Sequence, residues 1–393
     1  MKRLYTPTYF FLLLVLTGGC IIPFEIDSEE YDKVIVVEGV VTTEFKRHTV
    51  QLSFTTPIIS NSQAMLQGAD VWVENNAGAI YTFREESPGK YQSELEFAAR
   101  EEFEYQLFFR TSEGRLYQST KDRPIPSPPI DSIYDRYAEL IPANSTIQEV
   151  GIQFFLDSYD PTGNAKNFRY EWEETYKIVT PYKSFFDYDY NLGEIVYREI
   201  PIDVCYSTNT STSLIIGTSV GASVNRIVEF PVQFVSGDTD ILRNRYSILV
   251  RQFSVSNETY NYYQRIKTTE RQGTLFDEQQ GSVIGNIVSL DDPNEVVLGN
   301  FEVSGVSSLR VFFDFGDLDS KLLYPDFRFR CITDDLISTS VSNALTYVQA
   351  NTYNIIDILD AESGPPSAIM APDLCSDCTE YSSNVKPDFW IDN

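Results

Sequence analysis

A chain of 393 residues is long enough for two or three domains. Its 30 Lys and Arg against 57 Asp and Glu leave a net charge of −27, which repels phosphate backbones and excludes nucleic acid as a partner. Aromatic residues make up 14%, too much core material for a disordered polyanion, and the single His leaves a Ser-His-Asp arrangement one possible base, His48.

The N-terminus reads as an address. Lys2 and Arg3 precede an unbroken apolar run from Tyr9 to Leu16, too short to cross a bilayer as a helix. Thr17, Gly18, Gly19 and Cys20 follow. A short apolar core, small residues and then Cys form a secretory signal of the lipoprotein type, although Thr17 stands where the usual motif has Leu. Residues 1–19 are therefore the expected signal peptide, with Cys20 the lipidated first residue of the mature chain. Residues 20–32 form the expected tether. Its run Ser28-Glu29-Glu30 resembles an acidic surface-export signal, so the expected location is the outer membrane, facing the cell exterior. A coil of roughly ten residues reaches about 15–20 Å. No later stretch approaches 18 apolar residues, so the lipid is the expected membrane attachment.

From Lys33 the pattern is β. KVIVVEGVVT, HTVQLSFT, ADVWVEN, IYTFRE, GKYQSEL and FEYQLFFRT are short runs rich in Val, Ile, Tyr and Phe. Val50, Leu52 and Phe54 alternate with Thr49, Gln51 and Ser53, one buried face and one wet. About seven strands in 100 residues predict an immunoglobulin-like β-sandwich over 33–122. His48 shares the parity of Val50 and Leu52, which makes it a structural residue and not a base. Four prolines between 124 and 129 predict a stiff linker over 123–129. A larger β-rich domain is expected over 130–393, with strands in VGIQFFLDS, FRYEWEETYKIV, GEIVYREIPI, RIVEFPVQFV, RYSILVRQFSV and SSLRVFFDF. It holds one amphipathic helix, capped by Ser256, with Tyr260, Tyr263 and Ile266 on one face and Gly273 at its end. The fold class is mainly β.

The stretch RYSILVRQFSVSNETYNYYQRIKTTERQGTLFDEQQGSVIGNIVSLDDPNEVVLGNFEVSGVSSLRVFF resembles one Bacteroidota outer-membrane lipoprotein family. So do the opening CIIPFEID…VIVVEGVVTTE and the ending CSDCTEYSSNVKPDFW. The family is catalogued as domain of unknown function four-two-four-nine. Its members are typically encoded beside SusC-like TonB-dependent receptors. The resemblance implies an accessory or ligand-capturing partner of such a transporter and brings no catalytic residues with it.

With Cys20 set aside, Cys205, Cys331, Cys375 and Cys378 remain. An even number in an exported chain predicts two disulfides, and the expected pattern ties Cys375 and Cys378 to Cys205 and Cys331, stapling the C-terminal tail down. Metal binding or redox activity at Cys375-Ser-Asp-Cys378 is the lesser reading, because a zinc ribbon wants a second such pair. Asp314, Asp317 and Asp319 are a weak Ca²⁺ candidate without the late Glu of a full loop. Tyr182, Phe185, Phe186, Tyr188 and Tyr190, interleaved with Asp187 and Asp189, offer faces for a ligand or partner; period two equally marks one face of a strand. No cofactor and no enzymatic activity are expected. A structural or adhesive surface protein is the alternative, and a carboxylate-based hydrolase a more distant one.

Overall fold

The computed structural model of the protein describes residues 33–56, 63–141, 146–189, 191–272, 283–359 and 365–392, without the side chains of 270–272. The signal-like segment, Cys20, the acidic tether, Tyr190 and Gly273 lie outside the described residues.

The first β-sandwich follows from alternation. The N-terminal strands are β1 (Ile35–Thr42), β2 (Thr49–Phe54), the two-residue β3 (Ala64–Met65) and β4 (Asp70–Asn75). They continue as β5 (Ile80–Ser87), β6 (Lys90–Ser93), β7 (Tyr105–Arg110) and β8 (Leu116–Ser119). They pair antiparallel along the path β1-β2-β6-β5-β4-β7-β8. Every second side chain turns inward: Ile35, Val37 and Val41 from β1, Val50 and Leu52 from β2, Leu107 and Phe109 from β7.

The chain then runs through β9 (Ile130–Leu140), β10 (Glu149–Tyr159), β11 (Asn167–Val179), β12 (Phe186–Asp189), β13 (Glu194–Tyr197) and β14 (Val204–Thr210). Next come β15 (Ile215–Thr218), β16 (Arg226–Ser236), β17 (Tyr246–Ser254), helix α1 (Asn257–Gln272), β18 (Ile287–Ser289) and β19 (Leu298–Phe313). A sheet of order β16-β10-β9 faces the strands β14-β11-β17-β19, giving a second sandwich. Phe154, Tyr246 and Phe313 stack in its middle.

One strand serves both sandwiches. The first half of β19 pairs parallel with β1, from Val36↔Leu298 to Thr42↔Ser304, and its second half pairs antiparallel with β17, from Ser254↔Gly305 to Tyr246↔Phe313. β18 adds to the edge at β8, and the Asn286 side chain bonds both the N–H and the C=O of Phe301 at 2.8 Å, bridging towards β19. The segment 33–122 is therefore not a complete sandwich: Ile287, Val297, Phe301 and Val303, from much later in the chain, finish its core. The partition at 122 misses this because parallel pairing with a distant strand leaves no local sequence signal.

The Pro-rich stretch is packed down rather than free. Pro128 O accepts from Ser307 Oγ (2.6 Å) and Gln252 Nε2 (2.9 Å). A side chain at Gly305 would meet Ile125 O at 2.0 Å, so the strap and β19 can touch only because that residue is Gly.

The expectation of one helix needs correction. Besides α1, the described residues hold α2 (Val341–Gln349) and the single turn α3 (Asp373–Ser376). Helix α2 packs on a small sheet of β20 (Ile337–Ser340), β22 (Ser367–Pro372) and β21 (Tyr353–Leu359) around Ala344, Ile355 and Met370. Its sequence VSNALTYVQ mixes β-branched and helix-favouring residues, and Ser340 caps it by accepting from Asn343 N.

Candidate functional site

The aromatic segment folds as a projecting hairpin. β12 and β13 pair from Phe186↔Tyr197 to Asp189↔Glu194, around a turn in which Asp189 accepts from Asn191 N and Leu192 N and Gly193 has φ +70°. One face carries Phe186 and Ile195, which pack on the small core of Ala344, Ile355 and Met370. Phe186 is thus structural, as its period-two spacing allows. Tyr182 turns back to the tail, its N–H donating to Cys375 O at 3.1 Å. The opposite face carries Asp187, Asp189 and Val196.

Beneath that opposite face the chain curls back through Arg198–Ile202. The two form an open cup of about 600 Å³, with Leu192, Val196, Ile200 and Ile202 as apolar lining and Asp187, Asp189 and Glu199 as acidic groups. Arg198 does not neutralise the rim freely, because it donates to Asp187 (3.0 Å) and Phe186 O (3.1 Å). Leu192 and Ile200 stand 65 and 68% exposed along it, while Tyr197 packs its ring 5.0 Å from Phe186 on the other face of the hairpin. Most of these cup residues lie just past 182–190. A turn of Asn-Leu-Gly between two alternating runs was the available signal.

The cysteines pair as Cys205–Cys378 and Cys331–Cys375. Both bonds fix the tail, as the sequence led one to expect, and beyond them Trp390 packs edge-on against Tyr206 and Phe312. The three aspartates do not converge. Asp314 pairs with Arg245 at 2.6 Å, Asp317 accepts from Asp314 N, and Asp319 accepts from Tyr137 N and Lys321 N. Among the described residues no group of three or more acids, His or Cys is placed to hold a metal. His48 is buried in the first sandwich, its Nε2–H donating to Phe97 O at 2.8 Å, and burial pushes its pKa down to about 4.

Two features carry no sequence signal. The edge partner of β11 is split: β14 covers 173–179, β15 covers 167–170, and between them Ser211 bonds both the N–H and the C=O of Trp172. The excursion walls a polar cleft of about 470 Å³ over Arg169, Glu171, Glu173 and Arg251. Next to it lies a buried ionic cluster. Arg169 donates two bonds to Glu302, at 2.9 and 3.0 Å, and Tyr263 and Ser304 donate to the same carboxylate at 2.7 and 2.8 Å. Arg169 also lies over the Phe253 ring at 4.1 Å. This cluster locks α1 against the shared strand.

Two sandwiches on one strand, a tail held by disulfides and an apolar cup on a projecting hairpin define a mainly β protein. The chain belongs to the family described as Domain of unknown function (DUF4249), which matches residues 21–310. No functionally curated protein matches it. Among solved structures, a DUF4785 family protein from Legionella pneumophila is similar at 10% identity, over 55% of this chain and 51% of that one, with a TM-score of 0.18. That similarity is too low to transfer fold or function.

Proposed function

We propose that the protein is a lipid-anchored accessory subunit on the outer face of the outer membrane, and that it partners a SusC-like TonB-dependent transporter in capturing or retaining ligand. The observation that carries this reading is the disposition of the two ends. Val36 in β1 lies beside Leu298 at the start of β19, whereas at the far end Phe313 lies level with Tyr246 and Tyr176, where β11 runs on towards the hairpin, and the tail's Trp390 packs on Phe312. Sixteen residues of strand span roughly 50 Å. An anchor at Cys20 would leave the apolar hairpin well away from the point of attachment, free to meet an extracellular surface. The family match beginning at residue 21, immediately after Cys20, and the small residues before that Cys support the same reading.

With a net charge of −27, the protein would favour a partner presenting Lys and Arg, and association should weaken as salt rises. Gentle detergent extraction of native outer membrane at low salt, followed by affinity purification and mass spectrometry, tests the reading. A TonB-dependent transporter is the expected companion. Recovery of the lipoprotein alone, together with unchanged uptake after its deletion, would overturn the proposal in favour of a structural or adhesive role.

A further inference from the structure

We infer that the hairpin cup between β12–β13 and the segment Arg198–Ile202 is a protein-docking site for a basic segment that bears an aliphatic or aromatic side chain. The inference rests on the partner reading above and gives it a location and a chemistry. Three observations carry it. Leu192 and Ile200, both lining the cup, are each more than three-fifths exposed, an apolar concentration that a hairpin in water gains nothing by displaying. The hairpin's other face is anchored on a core through Phe186 and Ile195, so the cup is held in shape before any partner arrives. Its charged neighbours are acidic, and Arg198 is already engaged by Asp187.

Charge selects the occupant. A second copy of the chain would bring the same acids to the same place and a further −27. An anionic lipid surface meets the same repulsion. A segment with Lys or Arg on either side of one apolar side chain satisfies both parts of the cup: the apolar group covers Val196, Ile200 and Ile202, and the cations reach Asp189 and Glu199. Lys and Arg stems would also lie along the apolar lining while their heads meet the acids.

Two measurements test it. In living cells of the native host, a photo-crosslinking amino acid is placed at Ile200 of the full chain, with Thr82 on the first sandwich as control. The crosslinked peptide is mapped by mass spectrometry. The expected product is a protein segment of net positive charge with an aromatic or aliphatic residue at the contact. A crosslink to a second copy, to lipid or to an acidic segment overturns the inference, as does labelling no stronger than at Thr82. If a transporter copurifies but Ile200 stays silent, the docking site is wrong and the partner reading stands. If the mapped basic segment belongs to some other protein, the site stands and the transporter reading falls.

In solution, the mature protein is titrated with a nine-residue peptide of Lys residues around one Trp, and with two controls in which Glu replaces Lys or Ala replaces Trp. Only the first should bind, and Leu192→Ser with Ile200→Ser should weaken it by at least about tenfold. Glu199→Lys should do the same through charge, and all three positions are solvent-facing, so an unchanged thermal midpoint verifies folding. Equal binding by wild type and variants would assign the attraction to the diffuse field of the acidic chain and refute the site.

Discussion

Glu302 is fully buried and still charged because its neighbours are complete. Burial alone would raise its pKa, but the Arg169 guanidinium, with the Tyr263 and Ser304 hydroxyls, holds it below the usual carboxylate range. Removing Glu302 leaves the buried Arg169 with only the half-exposed Glu171, so Glu302→Leu should cost about 3 kcal/mol, whereas the double variant with Arg169→Met should recover much of that loss. Denaturant midpoints of the oxidised protein give the comparison; equal midpoints for both variants would contradict it. His48 makes the opposite kind of contribution. Its folded pKa of about 4 lies below its unfolded value near 6.5, so the stability it confers is present above pH 6.5 and is lost as pH falls towards 4. Asp122 and Asp373, both raised to about 6 chiefly by burial, act in reverse: they bind protons in the fold below pH 6 and favour it as acid is added. The wild-type profile mixes these signs. The difference between wild type and His48→Gln isolates the histidine, and the wild type should lose stability relative to the variant between pH 6.5 and 4.

At the scale of elements, the tail is held covalently as well as by the packing of Trp390 on Tyr206 and Phe312. The Cys205–Cys378 bond closes a separation of 173 residues and Cys331–Cys375 one of 44, and closures of this kind contribute about 2–5 kcal/mol each. Native protein unfolded without reductant should show no free thiol among these four cysteines. Labelling of two or more would contradict the pairing. Helix α1 depends on Ser256, whose hydroxyl accepts from Thr259 N and donates to Asp122, both at 3.3 Å. Ser256→Ala should cost about 1 kcal/mol, read from the thermal midpoint. Alternation, turn chemistry and this cap were all legible beforehand because each is settled within a few residues. Helix α2 was not legible: its nine residues are too few for a clear period, and the small sheet beneath it supplies the burial that decides.

For the whole molecule, the shared strand means that neither half stands alone. A fragment of residues 33–122 lacks Ile287, Val297, Phe301 and Val303 and leaves the β1 edge open, so it should give the narrow amide dispersion of an unfolded chain by NMR. A well-dispersed spectrum would show the first sandwich to be self-sufficient. The proposed lipid anchor is tested at the same scale: if it exists, Cys20→Ala should move the protein from the outer-membrane fraction to the soluble one, and retention in the membrane would rule the anchor out.

Taken by itself, the sequence determined a mainly β protein, acidic and rich in aromatics, with four late cysteines that pair and one structural histidine. Those properties follow from composition and from periodicity along the chain, and both are local. Tertiary structure alone decided that β19 belongs to two sandwiches, that the Pro-rich strap is packed down on β17 and β19 through Pro128, that the edge of β11 is split over a cleft, and that Leu192, Val196 and Ile200 meet in a cup. Each of these rests on contacts between residues far apart in the chain or on the path of the backbone in three dimensions. Pairing of distant strands is chosen by the total area that can be buried at once, and no short window of sequence contains that sum.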